Sequence, residues 1–223
     1  MSASKHRAAA DVRSSGINCM PRFPSTRPLP GTEAPLRGLF VDRWGTLIAG
    51  DSTCLGPKTV PWSFVPGAVD ALFRAQQLGW RIYLIGNETA VAEGTIAEEF
   101  WLEQEREILA RLAGQGVRVA RNYACLEHPA GKGAHRRPSV FLLPDTGIFY
   151  HALQLDGVEL GESWVVGDGT LELAAGERAG MRTAGVRTGR ALGDGELAVD
   201  PRLVAEDLAE FVSALLGPRV GAA

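Results

Sequence analysis

A short apolar run that ends at an aspartate constrains the fold of this chain more than any other stretch of its sequence. Leu39, Phe40 and Val41 lead to Asp42, and a polar turn that contains Gly45 follows. The run is too short for a helix and lacks helical spacing, so it predicts a strand buried on both faces. In open α/β sheets, ligands bind at the carboxyl ends of strands. Asp42 is therefore a candidate functional residue, although a strand that ends in a turn-forming aspartate explains the same residues equally well.

A second apolar run ends in the same way. Residues 164–166 lead through Gly167 to Asp168. Two strands of one parallel sheet can bring both carboxylates into one crevice, where their repulsion favours a bound cation. Hard oxygen ligands suit Mg²⁺. A bound Mg²⁺ would attract a phosphate group, and Asp42 could then attack phosphorus and form an acyl phosphate.

The remaining pattern predicts an α/β fold with a mostly parallel sheet and helices on both faces. Buried strands alternate with stretches of helical spacing, which is typical of such sheets. The pattern predicts strands over 81–85, 117–119, 163–166 and 181–186, and helices after Gly67 and over 95–113, 146–153, 172–179 and 207–216.

Composition excludes several classes of function. The net charge of −3 gives no reason to expect a nucleic acid or an acidic membrane surface as partner. Three cysteines are too few for a disulfide framework, so we expect a cytoplasmic protein. No apolar run approaches the roughly 18 residues that span a bilayer. The oligomeric state is left open.

Residues 1–36 differ from the rest of the chain. They are rich in proline and arginine and have almost no apolar periodicity, which predicts a disordered tail. An organellar targeting segment and a translation start at Met20 are the alternatives. We expect one domain over 37–217, followed by a short tail over 218–223.

Four ordered motifs resemble the haloacid dehalogenase (HAD) superfamily of phosphohydrolases. Within it, the chain is similar to the small branch of heptose-bisphosphate and histidinol-phosphate phosphatases. The resemblance covers about residues 36–216 and implies a capless, three-layer, doubly wound fold. The motifs are residues 39–48, the loop 86–94, Arg136-Arg137-Pro138, and Val166-Gly167-Asp168 with Glu172.

The resemblance implies a magnesium site and a nucleophile. Asp42 would be the nucleophile and a Mg²⁺ ligand. The backbone carbonyl of Trp44 and the carboxylate of Asp168 would complete the protein ligands, with Glu172 as a further candidate. The partner would be a small phosphorylated metabolite, such as a sugar phosphate.

The resemblance also assigns residues to the phosphate group. Gly86 and Asn87 would hold its oxygens, and Arg137 would replace the family's lysine. Arg43 and Arg136 would hold substrate phosphate or hydroxyls. The alternative for Arg136 and Arg137 is a solvated basic turn.

Several positions depart from the family pattern. Trp44 replaces the aspartate that acts as general acid and base, and an indole has no titratable proton at neutral pH. Gly86 replaces a Thr or Ser, Glu172 an Asp, and Glu93 an Arg. A catalytically impaired binding or scaffold protein is therefore an alternative to the phosphatase. Hydrolysis of another bond, such as carbon–halogen, is a second alternative.

The loop after residue 124 resembles the zinc loop found in this branch. Cys125 matches a ligand in position and type, His128 is one residue late, and His135 replaces a cysteine. These three residues are candidate Zn²⁺ ligands. A shortened loop without metal is the alternative that we favour.

Overall fold

A computed structural model describes residues 34–50 and 62–217. Residues 1–33 of the tail predicted over 1–36, and the tail predicted over 218–223, lie outside the described residues, as do residues 51–61 of the loop between β1 and α1. From Pro35 onward the chain clusters as one compact unit. The part of it that the structure describes contains no separate cap.

The centre of the molecule is a six-stranded parallel sheet in the order β3-β2-β1-β4-β5-β6. The first strand thus lies in the middle, between β2 and β4. The strands are β1 (Arg37–Asp42), β2 (Trp80–Asn87), β3 (Val119–Cys125), β4 (Trp164–Gly167), β5 (Arg182–Val186) and β6 (Leu203–Ala205).

Helices cover both faces of this sheet. The helices are α1 (Ala68–Gln77), α2 (Thr89–Ala92), α3 (Glu98–Gly114), α4 (Gly147–Asp156), α5 (Thr170–Arg178) and α6 (Leu208–Leu216). Side chains of β1 alternate between two cores, as the pleat of a strand requires. Leu39 and Val41 pack with α1, α3 and α6, whereas Phe40 packs with α4 and α5. The predicted three-layer, doubly wound α/β fold is confirmed.

Some element boundaries differ from the sequence prediction. β3 begins at Val119, where the prediction ended its strand, and β6 was not predicted because three residues carry too little pattern. The helix predicted over 95–113 begins later, at Glu98. Ala97 precedes α3 without a side-chain cap, and the Thr95 hydroxyl donates to the Ala90 carbonyl instead.

Among the described residues, no helix is both long and apolar enough to cross a membrane.

Candidate active site

Three carboxylates meet at the carboxyl edge of the sheet. Asp42 ends β1, Asp168 follows β4, and Glu172 lies in the first turn of α5. Because β1 and β4 are neighbouring parallel strands, both deliver their terminal aspartates to the same edge. One carboxylate oxygen from each of the three residues lies within 4.8 Å of the others. They form the only such group of potential metal ligands within 34–50 and 62–217.

The electrostatics of this cluster favour either protons or a cation. Burial raises the pKa of Asp42 well above its ordinary value, and the charges of Glu172 and Asp168 raise it further. Burial likewise raises the pKa of Asp168, and it raises that of Glu172 to about 7. Desolvation and like charges both disfavour ionised carboxylates. A divalent cation would remove this conflict.

The chain closes tightly around Asp168. Its carboxylate lies against two glycines of positive φ, Gly45 and Gly189, and a Cβ atom at either position would overlap with it. The Arg190 amide donates to Asp168 Oδ2 at 2.7 Å, and the Leu192 amide donates to the Asp168 carbonyl at 2.7 Å. The loop after β5 therefore holds this carboxylate in place.

The start of α5 fixes the third carboxylate. Glu172 Oε1 accepts a hydrogen bond from the Gly169 amide at 2.7 Å. The next amide, that of Thr170, donates to Asp194 Oδ2 at 2.8 Å. Both contacts satisfy amides that a helix leaves unpaired at its N-terminus.

The donor set fits Mg²⁺. Oδ2 of Asp42 is buried and has no hydrogen-bond partner, which is costly for a carboxylate oxygen unless a cation binds it. Three carboxylates with room for water are ligands of the kind that Mg²⁺ takes in proteins. Asp42, Asp168 and Glu172 would hold the ion. The backbone carbonyl of Trp44 stays a predicted ligand.

A cleft of about 580 Å³ opens onto the cluster. Its walls come from the ends of β1 and β2, from α2, and from the segments around Leu143 and Arg190. Beyond the three carboxylates, the cleft is lined by Trp44, Gly86, Asn87, Thr89, Ala90, Glu93, Thr95, Ile96, Leu143, Leu171, Arg190 and Glu196.

Comparison with known proteins agrees with this geometry. A family model described as HAD-hydrolase-like matches residues 143–211. The chain is 28% identical over 162 residues to D-glycero-beta-D-manno-heptose-1,7-bisphosphate 7-phosphatase of Haemophilus influenzae, which covers 72% of this chain and 87% of the relative. It is 26% identical over 155 residues to the protein of the same name from Pasteurella multocida, covering 69% of this chain and 83% of the relative.

A solved structure is similar over most of the chain. The D,D-heptose 1,7-bisphosphate phosphatase of B. bronchiseptica, in complex with magnesium and phosphate, has a TM-score of 0.69 and 25% identity. The match covers 81% of this chain and 98% of that one. The chain is similar to HAD phosphatases in sequence and in fold. The predicted recognition is thereby confirmed, including the resemblance to the heptose-bisphosphate phosphatase branch, and so is the prediction of a HAD-type enzyme.

Arg43 does not face the cleft, which corrects its predicted contact with substrate. The side chain is fully buried and forms ion pairs with Glu88 and, at 3.1 Å, with Glu105. It also donates to Asn122 Oδ1 at 3.1 Å. A guanidinium without exposed surface, held by two carboxylates, cannot reach a ligand in the cleft. Arg43 instead joins the end of β1 to α3 and β3 beneath the site.

The sequence prediction that Arg136 and Arg137 contact the substrate phosphate is corrected as well. Both are exposed, neither lines the cleft, and Arg137 Nη2 donates to Glu127 Oε1 at 2.6 Å. The structure thus favours the solvated basic turn. Leu143, where the HAD family match begins, lines the cleft before α4.

Gly86 and Asn87 do line the cleft, but the Asn87 side chain has another partner. It donates to the Leu143 carbonyl at 2.8 Å and accepts from the Leu143 amide at 2.9 Å. Asn87 therefore fixes the Leu143 segment and keeps one amide hydrogen for a ligand. Gly86 has a φ of 157°, which side-chain-bearing residues rarely adopt, so the local backbone disfavours the family's Thr or Ser.

The predicted zinc ligands are not brought together. Cys125 is buried and contacts the Glu127 carbonyl at 3.4 Å. His128 accepts from the Ala130 amide at 3.0 Å, and His135 pairs with Glu98 at 3.4 Å. Each residue has its own local partner, so the proposed ligand set is corrected.

The sequence analysis missed Arg190, which contributes both an amide to Asp168 and the one basic side chain among the described residues that line the cleft. The sequence carried a signal for this loop, because β5 is an apolar strand that ends at the same sheet edge as β1 and β4, three residues before Gly189. Glu196, further along the same loop, was missed as well.

Replacing Gly189 with alanine should abolish metal binding. The new Cβ would overlap with the Asp168 carboxylate and displace it from the cluster. Gly195 in the same loop is a matched control, since its φ is +66° but no atom lies within 4 Å of a Cβ there. Titration calorimetry with Mg²⁺ would contradict this account if Gly189→Ala and Gly195→Ala lost affinity equally.

Replacing Arg43 with methionine should destabilise the fold by about 3–5 kcal/mol, because two buried carboxylates would lose their partner. Arg187→Ala, which removes the exposed ion pair with Glu206, should cost no more than about 1 kcal/mol. Urea unfolding measures both. A small loss for Arg43→Met would show that the buried network contributes little to stability.

Without metal, stability should fall as pH rises from about 4.5 to about 7. The pKa of Glu172 is about 7 in the folded state against an ordinary 4.5, so in this window the folded state binds more protons than the unfolded state. Mg²⁺ should therefore stabilise the protein more above this window than below it. Urea midpoints measured across the window with EDTA or Mg²⁺ test this. An upward trend with pH in EDTA would contradict it.

Proposed function

We propose that this chain is a Mg²⁺-dependent phosphohydrolase that acts on a sugar phosphate or a similar small phosphomonoester through an aspartyl-phosphate intermediate on Asp42. The observation that carries the proposal is the cluster of three carboxylates at the sheet edge, with the unpartnered Oδ2 of Asp42 in it. The names of the relatives support it, since they are phosphatases of a sugar bisphosphate. The neighbour solved with magnesium and phosphate supports the choice of metal.

In the proposed reaction, an oxygen of Asp42 attacks phosphorus and the bond to the leaving oxygen breaks. Water then attacks the aspartyl phosphate and releases inorganic phosphate. Bound Mg²⁺ would neutralise the carboxylates and the phosphate oxygens. Asp168 and Glu172 keep their positions through the amides of Arg190 and Gly169, so the cluster is preorganised for this step.

A binding or scaffold role without turnover is the second candidate function. Trp44 supplies no proton, Leu143 supplies no charge, and Arg137 lies outside the cleft. In this version the chain would hold the metal and a phosphate but would not complete hydrolysis. No feature of the described site favours carbon–halogen hydrolysis in particular.

We also propose a small phosphorylated metabolite as the partner and the cytoplasm as the location. The first rests on the size of the cleft and on the relatives' names. The second rests on the sparse cysteines alone.

Substituting Trp44 with aspartate should raise turnover of a phosphomonoester by about 10²-fold or more, because general acid–base catalysis is worth typically 10²–10⁴-fold. Rapid-quench measurements with Mg²⁺ would follow phosphate release and labelling of Asp42. Trp44→Phe is the control for lost packing, and Asp42→Asn should remove labelling. If neither wild-type protein nor Trp44→Asp is labelled by any phosphate donor, the binding role replaces the phosphatase.

A further inference from the structure

The fate of the leaving oxygen limits which substrates this site can use. When Asp42 attacks phosphorus, a new P–O bond forms to its carboxylate. The old P–O bond breaks, and its electron pair stays on the leaving oxygen. A sugar or alkyl alkoxide is a strong base and needs a proton at that moment. A carboxylate released from an acyl phosphate needs none.

Trp44 stands at the position that the resemblance assigns to the general acid. It lines the cleft two residues after Asp42, is half-buried, and packs partly against the core. Its indole N–H can donate a hydrogen bond but is no titratable proton at neutral pH.

The other described side chains of the cleft offer little at this point. Leu143 is apolar and 4% exposed. Arg190 is the one basic side chain among the described residues that line the cleft, and its guanidinium gives up no proton at neutral pH. The carboxyls outside the metal cluster are those of Glu93 and Glu196, and both residues are exposed. Outside the metal cluster, no buried acid therefore lines the part of the cleft that the structure describes.

We propose that this site accepts its phosphoryl group from an acyl phosphate, the mixed anhydride of a carboxylic acid and phosphoric acid. The proposal rests on the phosphoryl transfer to Asp42 in the proposed function and replaces the phosphomonoester there by an anhydride. The carboxylate product leaves with the electron pair of the broken P–O bond, and no proton moves in that step. Water then cleaves the aspartyl phosphate slowly, with its proton released to solvent.

Acetyl phosphate and ethyl phosphate are a pair of probes of similar size that differ mainly in the leaving group. With the full chain and Mg²⁺, intact-mass spectrometry would follow the rate at which one phosphoryl group is added to Asp42. The measured quantity is the rate of labelling by acetyl phosphate divided by the rate of labelling by ethyl phosphate. This ratio should be about 10²–10⁴-fold higher in the wild-type protein than in Trp44→Asp, because the new carboxyl can protonate ethoxide. Trp44→Phe should keep the wild-type ratio, and Asp42→Asn should show no labelling.

The outcomes separate this inference from the proposed function. Equal ratios in wild type and Trp44→Asp would overturn the inference and leave the phosphohydrolase in place. If Glu93→Gln or Glu196→Gln lost labelling by ethyl phosphate but kept labelling by acetyl phosphate, that carboxyl would be the acid. This result would also overturn the inference. Labelling by neither donor in the folded wild-type protein would remove the proposed function itself.

Discussion

The repulsion between three carboxylates within 4.8 Å of one another is the constraint around which this molecule is arranged. Burial makes the conflict worse, as the raised pKa values of Asp42, Asp168 and Glu172 indicate. The surrounding chain responds with fixed amide dipoles rather than with mobile cations, since the Gly169 and Arg190 amides each donate to one carboxylate. Such amides orient the carboxylates without neutralising them, and a divalent ion would supply the missing charge.

Beneath this cluster lies a second set of buried charges, which connects elements of the fold. Arg43 is held between Glu88 and Glu105, so the residue that follows the nucleophile connects β1 to the loop after β2 and to α3. Its charge lowers the pKa of Asp42 from the interior side. The residue directly after Asp42 therefore belongs to the buried network and not to the cleft.

The sequence was sufficient for the sheet and for the carboxylates, because an apolar run that ends in an acidic residue specifies both a strand and its functional end. It failed for Arg43 and Arg137, since a basic residue beside a motif carries no local sign of the direction in which its side chain points. Their directions are set by Glu88, Glu105 and Glu127, which approach from other elements. Leu143 was missed for the opposite reason, because an apolar residue gives no chemical signal of a site. The zinc candidates depended on a resemblance between loops, which does not determine whether side chains converge.

The departures of this chain from the family pattern concern proton transfer and phosphate binding, and they leave the carboxylates in place. The proposed metal ligands and nucleophile keep their carboxylates, including Glu172, where the longer side chain still reaches the cluster. The changed positions Trp44 and Gly86 are those that the resemblance assigns to protonation of the leaving oxygen and to the phosphate. Attack by a carboxylate requires orientation and charge neutralisation, whereas release of an alkoxide and activation of water require proton transfer. In the proposed reaction, a site altered in this way would still form an aspartyl phosphate but would hydrolyse it slowly, so function would depend on the lifetime of that adduct.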